Sequence, residues 1–116
     1  MMTERVPLTI LRNLLHNESY TRKVLPFVQP EYFEERSDRV VFEEISSFLK
    51  NYDSLPTKEV LHIEVEKRTD LAGDEFTLSD QLIGSLDPVD SDKEWIVDTT
   101  EKWCKERAIY LALMES

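Results

Sequence analysis

Glycine is almost missing from this chain: 116 residues contain two, Gly73 and Gly84. That scarcity excludes the loops that wrap a phosphate in backbone. A P-loop needs Gly, four residues and then Gly-Lys-Ser/Thr, whereas here the two glycines stand eleven positions apart and Ser85 follows the second. A Rossmann fingerprint, with two or three closely spaced glycines, is excluded on the same count. Cysteine is equally scarce. Cys104 stands alone, so no internal disulfide can form, and one Cys with two His cannot build a zinc cluster. A reducing, intracellular setting is the expectation.

Positive charge is in the minority. Fourteen Lys and Arg face twenty-four Asp and Glu, for a net charge of -10. Such a chain repels nucleic acid at long range, and an anionic membrane surface is disfavoured for the same reason. Long apolar runs are also lacking. The opening MMTERVPLTILRNLL carries Glu4 and Arg5 inside a broken apolar stretch and has no signal-peptide core. No stretch reaches the roughly eighteen apolar residues of a membrane span. The expected location is the cytoplasm.

What is present suits one soluble globular domain with a single core, expected over residues 1–116: hydrophobic residues are 41% and charged residues 33%. Apolar positions recur with helical rather than strand spacing. Leu8, Leu11, Leu14 and Leu15 form a first stripe, with Pro7 suited to the first turn. Asn17 can end that helix or cap the next, which carries Tyr20, Val24, Phe27 and Val28 and stops near Pro26. Glu31 to Phe33 reads as a single turn sending two aromatics inward. Val41, Ile45, Phe48 and Tyr52, widened by Val40 and Leu49, define a third helix with Glu43, Glu44 and Lys50 outside.

Thr57 is a natural N-cap for a fourth helix through Val60, Leu61, Ile63 and Val65, although His62-Ile-Glu-Val-Glu also alternates like a strand. Residues 69–75 are expected as loop, and 76–86 as a short helix with Leu78, Leu82, Ile83 and Leu86 inward. Ser91 and Glu94 have capping-box spacing ahead of one long helix through Trp95, Ile96, Thr99, Trp103, Ile109, Tyr110 and Leu113. The prediction is a compact all-α fold. The last helix stays apolar to its end with no Gly or Pro stop, which predicts that it continues or packs on a second copy.

No catalytic constellation is visible. His62 and Glu66 make half a metal site at most, and His16 has no second ligand. Asp87, Asp90, Asp92 and Glu94 alternate like a calcium loop, but Trp95 occupies the place such a loop gives to glycine. Acids at a helix start explain them better. Cys104 lies among alternating charges with no base near it, and Glu34-Glu35 and Glu43-Glu44 diverge on a helix. No catalytic, cofactor or metal residue is therefore expected.

The order of features resembles the N-terminal domain of DnaB-type hexameric replicative helicases, and most of all the T4-like phage branch of that family. The likeness runs from about Val6 to Met114. It rests on Ile10-Leu11-Arg12-Asn13-Leu14-Leu15, Tyr20, Lys23-Val24-Leu25-Pro26, Pro30-Glu31-Tyr32-Phe33, Val41-Phe42 with Ile45, Leu55-Pro56-Thr57 and Leu61. It ends with Glu94-Trp95-Ile96-Val97, Thr100-Glu101-Lys102 and Glu106-Arg107-Ala108. Ser54 and Thr57-Lys58 depart from the family's usual Gly before and acid after its Pro-containing turn.

The resemblance implies a helical head, about residues 6–88, followed by the first arm of a helical hairpin, about 91–116, cut before its second arm. In that family such domains pair into a collar above the motor ring and give primase a docking surface. ATP and Mg belong to a separate motor domain. A half hairpin would leave Trp103, Tyr110, Leu111 and Met114 partly uncovered as a subunit interface. The expected partners are other copies of the chain, in a dimer or within a full-length hexamer, and primase, with no nucleic acid and no membrane. The competing readings are the helicase-binding domain of a primase and a small acidic DNA mimic; in the second, acids should align on one surface, yet here they are interleaved with basic residues.

Overall fold

Short polar signals start or stop several of the helices. The Asn17 amide donates to the Asn13 carbonyl at 2.8 Å and its side-chain oxygen accepts from the Tyr20 amide at 3.2 Å, so one residue closes a helix and opens the next. Thr57 Oγ1 accepts from the Val60 amide at 3.2 Å and opens another. Asp53 adopts the left-handed conformation at φ 55°, and its amide donates to Leu49 O at 2.8 Å to end the third helix.

The computed structural model describes residues 2–115, with side chains from Arg5 to Glu115. Met1 and Ser116, the expected limits of the domain, lie outside the described residues. Within these residues there are six α-helices and no strand. They are α1 (Met2–His16), α2 (Glu18–Val24), α3 (Arg36–Tyr52), α4 (Lys58–Glu66), α5 (Gly73–Ser85) and α6 (Lys93–Glu115), with 3-10 turns at Leu25–Phe27 and Pro30–Tyr32. The all-α architecture ending in a long helix is as expected, and the strand-like alternation at 62–66 is helical.

α3 lies at the centre, packed on α1, α4 and α5. Ile10, Leu11 and Leu14 of α1 and Val40, Val41 and Ile45 of α3 are buried in one core cluster, which Leu61, Val65, Ile83, Leu86 and Ile96 share. Each such side chain contributes roughly 1.5–3 kcal/mol relative to exposure. Phe33 sits between Phe42, at 5.3 Å between ring centroids, and Trp103, at 4.9 Å.

Five local expectations are corrected. α1 begins before Pro7, which lies inside it rather than in its first turn. Tyr52 is exposed and stacks on Phe48 at 4.7 Å, while Phe42 takes the buried place in α3, because the aromatic cluster around Phe33 lies on that side. α5 starts at Gly73, inside the expected loop, where Glu75 Oε1 accepts from the Ala72 amide at 2.9 Å. Leu78 is exposed and Ser79 is buried, its hydroxyl satisfied by the Glu75 carbonyl at 2.8 Å. α6 is capped by Asp92, which accepts from the Trp95 amide at 2.9 Å, while the expected cap, Ser91, instead accepts from Asn13 Nδ2 at 3.2 Å.

Candidate interaction surface

α6 is one helix with two environments. Ile96, Thr100, Trp103 and Cys104 are spaced by four, three and one residues and face the head, where all four are buried. A buried polar link locks this half. Tyr20 Oη and Thr100 Oγ1 lie 2.6 Å apart, and Thr100 also donates to the Ile96 carbonyl. Burial raises the Tyr20 hydroxyl pKa well above the ordinary tyrosine value, so it stays protonated. Trp103 packs edge-on against Tyr32, at 6.2 Å, as well as on Phe33.

Arg107 ends the contact. Its Nε donates to the Tyr32 carbonyl at 2.6 Å, its Nη1 reaches Glu34 Oε1 at 3.2 Å, and its guanidinium lies 4.9 Å from the Tyr110 ring centroid. Past Arg107 the helix runs for two further turns with little cover. Ile109 is 61% exposed, Tyr110 49%, Leu113 70% and Met114 67%, while Leu111 is half-buried. Large apolar side chains grouped like this are typical of surfaces that meet a partner.

The four residues expected at a subunit interface thus divide. Tyr110 and Met114 are open, Leu111 is partly covered, and Trp103 is not uncovered at all: at 7% exposure it belongs to the core, because the Pro30–Tyr32 turn and Phe33 reach it. Ile109 and Leu113 join the open face instead. Their helical spacing was visible in the sequence, but which side of the stripe the head covers was not.

The other chemistry-bearing residues are tied into structure. His62 Nδ1 pairs with Asp80 across α4 and α5, and Glu66 lies outside that pair. His16 Nε2 bonds the Leu86 carbonyl at 2.6 Å. Lys58 Nζ holds Asp87 at 2.6 Å and the Gly84 carbonyl at 3.0 Å, and this lysine keeps the Asp87 carboxyl below the usual carboxylate range. Burial, then the Glu101 carboxylate, pushes the Cys104 thiol up to about 12, the opposite of what a nucleophile needs. Arg68 gathers Glu43, Glu44 and Asp70 within 3.2 Å, so the expected outer acids of α3 are half-buried in an ion cluster. Among the described residues no group of three His, Cys, Asp or Glu side chains is placed to hold a metal ion. No described helix is long and apolar enough to cross a membrane.

These features define an all-α domain that completes its core with one half of its last helix and presents the other half to solvent. No family model matches the chain. Over 103 residues, 89% of its length, it is 31% identical to the DnaB-like replicative helicase of Enterobacteria phage T4. The resemblance to the DnaB-type replicative helicases is therefore a relationship in sequence across nearly the whole chain. The chain spans 22% of the length of that relative.

Proposed function

We propose that this chain is the N-terminal domain of a phage replicative DNA helicase, a cytoplasmic collar that holds neighbouring subunits together and offers primase a docking surface. The observation that carries this reading is the pairing of kinship to the T4 helicase with an uncovered apolar end on α6. The kinship is with a helicase, which favours this reading over the helicase-binding domain of a primase. The interleaving of acids with Arg22, Arg36, Arg68 and Arg107, each paired to carboxylates, disfavours a DNA mimic. On this reading the ATP and Mg²⁺ sites and the grip on DNA belong to a motor domain, and the collar contributes rigidity and contacts rather than chemistry.

The test is the molar mass of the chain by light scattering over a concentration series, with titration of primase from the same phage. The wild-type chain should self-associate and bind primase. Tyr110→Glu with Met114→Glu should shift the mass to that of a monomer. An unchanged mass would remove this face from the interface, and ATP turnover by the purified chain would overturn the division of labour.

A further inference from the structure

The head carries an apolar face of its own, to which no part of α6 belongs. Outside α6, Tyr52 is the most exposed large apolar side chain among the described residues, at 68%, and Ile63 is 47% exposed. Tyr52 occupies a place in the α3 stripe that suits burial, yet it stands in water on the half-buried Phe48 ring. Scattered apolar side chains are ordinary on a surface, whereas neighbouring ones mark a place where something docks.

The packing of α3 on α4 makes these side chains neighbours. Arg68, just past the end of α4, reaches Glu43 and Glu44 in the middle of α3, so the two helices run antiparallel. Five residues back from Arg68 is Ile63, and five residues on from Glu43 and Glu44 are Phe48 and Leu49. Ile63 is therefore level with the Phe48–Tyr52 stack. Tyr52 also interacts electrostatically with Lys67, so its ring points back along the helix pair rather than off its end.

The charges around this face are of one sign. Glu59 and Glu66 are both exposed, seven residues apart on α4, with Ile63 between them. Two helical turns put them on one line, about 10 Å apart along the axis. Neither has an ion-pair or hydrogen-bond partner among the described residues, whereas Glu64 and Lys67 hold each other at 2.9 Å. We propose that this face docks a basic amphipathic helix of a partner protein. Lys or Arg at positions i and i+7 of that helix meet the two free carboxylates, and apolar residues at i+3 and i+4 cover Ile63 and the Tyr52 ring. A tyrosine at the centre of such a contact gives large area at little cost in side-chain freedom. A second copy seated here about a two-fold axis would set Glu59 and Glu66 against like charges, on top of the repulsion between two chains of charge -10.

The probe is a synthetic helical peptide with Lys at i and i+7 and Leu at i+3 and i+4, titrated into the isotopically labelled chain and followed by amide chemical shifts. Shifts should concentrate at 48–52 and 59–67. Glu59→Lys with Glu66→Lys should weaken binding about tenfold or more, and a peptide with Glu in place of both Lys should bind that double variant and not the wild-type chain. Tyr52→Ser, at an exposed position that leaves the core untouched, should also weaken binding about tenfold. Tyr110→Glu with Met114→Glu should bind the peptide as the wild-type chain does, which separates this face from the contact assigned to α6. Shifts spread over the whole acidic surface, or an affinity that neither the Glu59/Glu66 variant nor Tyr52→Ser alters, would overturn the proposal. A molar mass that falls on Tyr52→Ser would give the face to a second copy and overturn it as well.

Discussion

The first half of α6 and its last two turns both carry large apolar side chains, and those side chains meet opposite fates. Ile96 and Trp103 are buried, whereas Ile109 and Leu113, equally apolar, stand mostly in water. Helix-forming tendency does not separate them, because both halves are helical without a break. What separates them is what lies opposite: α1, α2 and the Pro30–Tyr32 turn line the first half and end at Arg107. An apolar residue is in the core only where the rest of the chain can reach it.

Truncation is the strongest way to break this comparison. Trp103→Ala should cost about 3–5 kcal/mol through the cavity it leaves, and Leu113→Ala should stay within about 0.5 kcal/mol in the monomer. Urea denaturation at low protein concentration measures both, and equal costs would remove the distinction. Next in size, Arg107→Ala should cost about 1–2 kcal/mol, since the Tyr32 carbonyl loses a charged donor. Hydrogen exchange should then quicken across 104–110 and hardly at all at 93–99. Smaller still, Tyr20→Phe should cost about 1 kcal/mol, because Thr100 keeps its bond to the Ile96 carbonyl.

The smallest effect comes from the head itself and serves as a control outside α6. Burial, then the Glu35 carboxylate, raises the Asp38 carboxyl to about 6. The folded pKa lies above the ordinary value, so folding disfavours the charged form. Stability from this group is present at low pH and is lost as pH rises through about 6. Asp38→Asn should therefore stabilise the chain by something under about 1 kcal/mol at pH 7.5, with the gain gone near pH 4, after discounting for the group's partial exposure. A denaturation series against pH reads this directly, and a gain that grew toward low pH would reverse the sign.

Much of this fold was legible before the structure. Asn17 and Thr57 announced helix starts by their chemistry, and both cap as their side chains suggest. The two-glycine count ruled out a phosphate loop wherever the helices fell. Misreadings cluster where one periodic pattern allows two adjacent faces. Leu78 and Ser79, or Phe42 and Tyr52, are each compatible with an amphipathic helix, and the choice was made by α3, α4 and the Phe33 cluster. The candidate surface was half legible: Tyr110 and Met114 are open as expected, but the aromatic pairing of Trp103 with Phe33 joins residues seventy positions apart in sequence.

By itself the sequence determined the helical class, where several of the helices begin, the acidic charge and the kinship with a phage replicative helicase, because these depend on local residue chemistry and on residue order. Only the tertiary structure decided that Trp103 is inside, that Leu113 is outside and that α6 outruns the head. Periodicity sets the direction of an apolar stripe, and the reach of neighbouring elements sets how much of it is covered.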